Sequence, residues 1–260
     1  MSIFRKLFGG KKHPASAPDP LVAEEIATLA GCDWERVNPT LNAVQVTALY
    51  RDALCEGELV GFHPLLVVTS RALLDTLQAN FKHNAGVEAY RERLLMEECA
   101  DGEEFLRKRM KQVMPEDAEL ADELTGSFDE IAAPQMQLAA VGAKERRPDE
   151  ELILLKLPLT RPWRCFAYLP AGNRHACPNA VGLMSVCRLW YEQYGAVPAM
   201  LSKNELQLYV AKPLTRRTQA MELAAAQYAF CSDIVDRCTE TLGALAGMLT
   251  DAAYWYFWWE

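Results

Sequence analysis

The residues best suited to chemistry lie in two short stretches. The first is the loop Gly172-Asn173-Arg174-His175-Ala176-Cys177, followed by Pro178, a residue suited to the first position of a helix. Free amides at a helix start can hold an anion, and the same end can lower a thiol pKa. His175 stands two residues from Cys177, so a Cys/His nucleophilic pair is the sharp expectation. The plainer expectation, and the preferred one, is a helix-capping loop with a buried thiol.

The second stretch holds Cys231, Asp233, Asp236 and Cys238 at a break between helices. Joined by Cys177 or His175 it offers soft and hard metal donors, or a Cys/Asp site around Cys177 and Asp233. More commonly such an Asp caps a helical turn and such a Cys fills core. None of the eight cysteines is spaced as CxxC, so no zinc ribbon is supported. A P-loop, a dinucleotide fingerprint, a GxSxG elbow, an HExxH pair and the deaminase signatures are all missing. No metal and no cofactor is therefore expected.

The elements that must carry these residues follow from periodicity. Leu21–Gly31 and Thr40–Gly57 read as helices stopped by glycine. Leu65–Thr69 is a buried strand, and Ser70 caps a helix over Ala72–Phe81. Tyr90–Cys99 and Glu103–Met114 are charged helices. Gly142–Glu150 is a polar linker, and a boundary is placed there. Beyond it Glu151–Leu157 and Trp163–Leu169 read as strands. A helix from Pro178 to Gly195 carries Met184, Cys187, Tyr191 and Tyr194 on one stripe. Ala199–Ser202 and Glu205–Ala211 form a hairpin with one face half-exposed. Thr215 and Thr241 cap two further helices, and Gly243 with Gly247 suggests close packing of the second.

The end of the chain says most about architecture. Six of the last seven residues are aromatic. On a strand Tyr254, Tyr256 and Trp258 face one way and Trp255, Phe257 and Trp259 the other. Both faces are apolar, as in an interior strand covered on both sides. Gross burial of six rings is on the order of 20 kcal/mol as an upper bound. One face should meet helices, the other the N-terminal region or a ligand, and residues 151 onward should form a self-contained body.

Composition excludes several classes. The 260 residues are 50% hydrophobic and 24% charged, which suits one or two globular domains rather than a disordered or collagen-like chain. No run approaches the roughly 18 apolar residues of a membrane span. The net charge is -8, which opposes binding to nucleic acid. Residues 88–150 hold 17 acids and 9 bases, a difference of -8 equal to that of the whole chain. Such a surface suits a basic partner, or is a set of solvated helix faces. Arg5, Lys6, Lys11 and Lys12 make a basic start too short for a signal peptide. With no CxxC and no secretion signal, reduced thiols in a cytoplasm are expected.

From Glu151 to its end the sequence resembles the DUF4253 family, a bacterial domain of unknown function. The resemblance rests on Pro162-Trp163, Phe166 to Pro170, Gly172-Asn173 with Cys177-Pro178, Trp190 to Gly195, Tyr228 to Cys231, Asp233 to Val235 and Trp255 to Trp259. Tyr50 to Val68 looks like the region that often precedes this domain. The family commonly has an aromatic and an acidic residue between its glycine and cysteine, where this sequence has Asn173-Arg174-His175-Ala176. The resemblance implies no reaction, cofactor or catalytic residue.

The expectation is an α+β protein with a mixed or antiparallel sheet covered by helices and a C-terminal aromatic strand inside it. Residues 1–20 form a basic tail and linker, 21–141 a mainly helical region with one strand, and 151–260 the α+β domain. The expected function is non-enzymatic binding of another protein, of which a toxin-neutralising immunity protein is one concrete form, with Asn173, Arg174, Trp163, Trp190 and Trp258 as contact residues. The alternative is an enzyme built on Cys177, His175 and Asp233.

Overall fold

A computed structural model describes residues 18–130, 132–139, 141–142, 146–172 and 176–260. The basic start, through residue 17, lies outside them.

Helix α1 (Pro20–Ala30) begins at Asp19, whose side chain accepts from the Leu21 amide, and ends at Gly31 with φ 62°. A short strand β1 (Asp33–Arg36) follows. Its polar DWER sequence has no apolar alternation, so it gives no strand signal. Helix α2 (Ala43–Val60) opens with a capping box between Asn42 and Gln45. It runs past Gly57 to Gly61, whose φ of 91° ends it. Gly57 serves packing instead: a Cβ there would lie 2.3 Å from the Phe62 carbonyl oxygen. Strand β2 (His63–Thr69) leads through the Ser70 cap into α3 (Arg71–His83). Helices α4 (Val87–Met96), α5 (Gly102–Val113) and α6 (Ala118–Thr125) follow.

Strand β3 (Glu151–Leu157) falls where its apolar run places it. The next run does not become a strand. Pro162–Ala167 is a 3-10 helix with Pro162 in its first turn, and Arg164, Cys165, Phe166 and Ala167 are all buried. A short run buried on every side has no period, so it fits a strand and a helix equally. Helix α7 (Ala180–Tyr194) starts two residues later than Pro178 implies: Asn179 is the cap, accepting from the Gly182 amide. Strands β4 (Ala196–Leu201) and β5 (Glu205–Val210) form the hairpin. Helix α8 (Arg217–Phe230) begins at Arg216 rather than Thr215, without a side-chain cap. A π turn (Val235–Thr239) connects it to α9 (Leu242–Leu249), which Thr241 caps, and β6 (Tyr254–Trp258) follows.

The described strands form one mixed sheet in the order β1-β3-β2-β4-β5-β6. All neighbours are antiparallel except β2 and β4, which pair in parallel at Leu66↔Met200 and Val67↔Leu201. Residues 151–260 are therefore not self-contained, because β2 lies between β3 and β4. A β-bulge interrupts β4 between Pro198 and Met200. His63 takes up the slack there, with Nε2 donating to the Pro198 carbonyl at 2.7 Å. The aromatic strand β6 is in the sheet as its last strand, not between two others, and its faces are covered as their composition requires.

Those faces belong to two cores. Trp255, Phe257 and Trp259 join the larger one, with Leu65, Val67, Ile153 and Leu155 from the sheet and residues of α1, α3, α7, α8 and α9. Tyr254 joins the smaller, with Leu66, Val68, Leu152 and Leu154 beneath Val46 and Tyr50 of α2 and beneath Leu138 and Val141. The second face thus meets the N-terminal region. Its outer part is crossed by a strap that includes residues 135–139 and 141. The chain leading to the strap packs against α9, where Gly243 and Gly247 leave it room: a Cβ on either would lie 2.0 Å from the carbonyl oxygen of Ser127 or Asp129.

Three arginines close helix ends. Arg91 donates to the Leu29 and Ala30 carbonyls of α1, and Arg164 to those of Leu94 and Leu95 in α4. Arg109 donates to Ala229 of α8. A cation there satisfies orphan carbonyls and opposes the helix dipole.

Candidate functional site

A cleft opens where three segments converge: Ala171–Gly172 with Cys177, the turn Ser202–Glu205 between β4 and β5, and the chain end at Trp259 and Glu260. The volume open to solvent-sized molecules within it is about 90 Å³. Phe166, Leu183, Leu201 and Leu206 give it an apolar floor. Gly172 lets the first segment fold on itself, with φ +84° and a virtual Cβ only 2.1 Å from the Pro178 carbonyl oxygen. Arg109 fastens the far side by donating to the Ala176 carbonyl at 2.7 Å. The turn is held by Ser202, whose Oγ accepts from the Glu205 amide at 3.1 Å and donates to Glu205 Oε2 at 2.7 Å. The Trp259 amide donates to the Asn204 carbonyl, which ties the chain end to this turn.

Cys177 does line the cleft. Burial pushes its thiol up to about 12, with the Arg109 guanidinium opposing weakly. That is opposite to the direction a helix end would give, and a thiol near neutral pH is a poor nucleophile. His175, Asn173 and Arg174 lie outside the described residues. Asp233 does not line the cleft. Its Oδ2 accepts from the Glu260 amide at 3.1 Å and its Oδ1 from Arg237 Nε at 3.3 Å, while Arg237 also pairs with Glu260. Asp233 is thus a staple for the end of the chain. Cys231 is buried and donates to the Trp258 carbonyl at 2.9 Å. Among the described residues no three His, Cys, Asp or Glu side chains gather as metal ligands would.

The tryptophans divide. Trp190 is 1% exposed, stacks on Phe257 with centroids 5.4 Å apart, and meets Phe230 and Trp255 edge-on. It is core and offers nothing to a partner. Trp163 is half-buried against Tyr191, 5.0 Å away. Trp258 is half-buried opposite Glu205.

Glu205 is the cleft residue that sequence reading missed. Both of its oxygens are engaged, Oε1 by Tyr256 Oη at 2.6 Å and Oε2 by Ser202. Burial raises its pKa, although the two hydroxyls oppose the rise. Its place in an alternating strand marks it only as a residue of the polar-looking face. The available signal was Ser202 three residues before Glu205 across a tight turn.

A second feature lies at the surface. From Glu116 to Glu130 the chain carries seven acids and no base. No residue of α6, in the middle of this stretch, is buried. Asp117 caps α6 and Glu130 pairs with Arg217 at 3.2 Å, while Glu119, Asp122 and Glu123 stand exposed around Leu120.

The fold is α+β, a mixed sheet between unequal helical layers, and among the described residues no helix is long and apolar enough to cross a membrane. Residues 153–260 match the model of the domain of unknown function DUF4253, as the motifs from Pro162 to Trp259 imply. No curated protein and no solved structure matches the chain.

Proposed function

We propose that the protein is a non-enzymatic module that binds another, basic protein in the cytoplasm, as a toxin-neutralising immunity protein does. The observation that carries this reading is α6: the exposed carboxylates of Glu119, Asp122 and Glu123, with no ion pair among the described residues, around the exposed Leu120. Unpaired acids on a mobile partner's approach path speed encounter and select for positive charge. The test is affinity capture from native lysate with the wild-type chain and with Asp122→Lys/Glu123→Lys. Both substitutions lie in the second half of α6, where cations suit the helix end. A basic partner held by wild type and weakened by roughly tenfold or more in the variant is expected. Failure to recover any partner, or equal recovery by both chains, overturns the reading.

The rival is an enzyme built around Cys177, favoured only by that residue's place in an open cleft. Replacement Cys177→Ala separates the two. The binding reading expects unchanged partner capture and an intact cellular phenotype, whereas an enzyme would lose its phenotype with capture preserved.

A further inference from the structure

The cleft is unbalanced in its hydrogen-bonding groups. Its two carboxylates are already engaged, Glu205 by Tyr256 and Ser202, and Glu260 by Arg237. Among the described side chains of the lining, two donors are left over besides the exposed amide of Asn204. Lys203, at the tip of the β4–β5 turn, is exposed and makes no ion pair among the described residues. Trp259, 4% exposed, forms part of the wall, and its indole N–H has no acceptor among the described residues. A buried donor without an acceptor is costly, and native proteins rarely leave one unmatched. Between these donors lies the apolar floor of Phe166, Leu183, Leu201 and Leu206. Clefts with an apolar lining and a few polar groups at fixed positions are the common form of small-molecule sites.

We infer that this cleft binds a small organic acid, its carboxylate taken by Lys203 and the Trp259 N–H and its apolar body laid on the floor. An anion supplies the charge and the acceptor that the cleft lacks. A cation of the same shape would meet the Lys203 ammonium, and the Glu205 and Glu260 side-chain carboxylates are already engaged. Because the exposed acids of α6 lie outside the cleft lining, this inference stands whether or not the protein-binding reading does.

The test is NMR on the full ¹⁵N-labelled chain, with the indole signal of Trp259 assigned by Trp259→Phe. The probes are phenylacetate and hexanoate, each against its neutral amide, with phenethylamine as the cation. At least one acid should shift the Trp259 indole N–H and the Asn204 and Glu205 amides saturably. Its amide and the amine should bind roughly tenfold more weakly or not at all. Lys203→Met should weaken the acid by roughly tenfold and leave thermal stability unchanged. The inference falls if neither acid gives a saturable shift at Trp259, if acid, amide and amine bind alike, or if Lys203→Met leaves the affinity intact.

Discussion

On one face of the sheet Trp255, Phe257 and Trp259 meet Trp190 and Phe230 in a ring cluster with centroids 5.0–6.3 Å apart. On the other, Gln207 of β5 is fully buried and grips the strap: its Nε2 donates to the Ala139 carbonyl and its Oε1 accepts from the Ala139 amide, both at 2.7 Å. Thr47 of α2 adds a third tie, its Oγ accepting from the Leu138 amide at 3.0 Å. Two more amides, Ala253 and Tyr254, donate to the Gln135 carbonyl and so cover the start of the edge strand β6. The first face is closed by apolar area, which tolerates small shifts of its helices. The second is closed by directional bonds to one extended segment, which does not. The same strand therefore needs rings on one side and a polar neighbour, Gln207, on the other.

The sharpest way to break that contrast is Trp190→Ala. It removes the ring on which Phe257 stacks and which Trp255 and Phe230 meet edge-on, and should cost about 3–5 kcal/mol. Urea unfolding followed by far-UV circular dichroism checks it. A loss under about 1 kcal/mol would show that the ring cluster does not hold the larger core.

Acid probes the same side by another route. His63 alternates with Leu65 and Val67 and therefore stands on the larger-core side of β2. It is buried, and desolvation lowers its pKa to about 4 from 6.5. The unfolded chain takes up the proton as pH falls through about 6.5, while the native chain resists until about 4. Stability from this residue is thus complete above the upper value and falls between the two, by ~3 kcal/mol in all. Glu205 works in the opposite sense, because its raised pKa lets the native chain gain a proton first. The difference between wild type and His63→Gln isolates the histidine. Denaturation midpoints of the two chains should converge on acidification, and parallel curves would contradict the assignment.

Across the sheet, Gln207→Ala leaves both polar groups of Ala139 without their partner. The expected loss is about 1–3 kcal/mol, with faster amide exchange in residues 132–139 while the ring cluster stays protected. Equal loss of protection on both faces would show that strap and ring cluster unfold as one unit.

How much of this was legible follows from the range of each signal. Gly31, Ser70, Gly195 and Thr241 mark helix ends through bonds to residues at most a few positions away, and each does so in the structure. The two-faced burial of β6 is legible because alternation is a property of the strand alone. Its position at the edge is not, since that depends on which strand pairs with which. The insertion of β2 between β3 and β4 is hidden for the same reason: Leu66 and Met200 are far apart in the chain. Gln207 reads as a half-exposed strand residue until the strap above it is known. Cys177 shows the limit at the cleft. Its position before Pro178 is visible, but the burial that keeps its thiol protonated is a tertiary fact.

The smallest effect tests the polar account most directly. Tyr50, on the strap side, is fully buried and its hydroxyl has no partner among the described residues. Tyr90, on the ring-cluster side, is also buried, but its hydroxyl donates to the Phe166 carbonyl at 3.3 Å. Both are stripped of one oxygen by Tyr→Phe, so the apolar terms nearly cancel in the comparison. Tyr90→Phe leaves a carbonyl short of a donor and should lose about 1 kcal/mol, whereas Tyr50→Phe removes an unmet group and should be neutral or stabilising by up to about 1 kcal/mol. Thermal melts of the two single variants decide it. A marked loss in Tyr50→Phe would mean that an ordered water completes that hydroxyl, and that the strap face is held by one more hydrogen bond than its protein atoms supply.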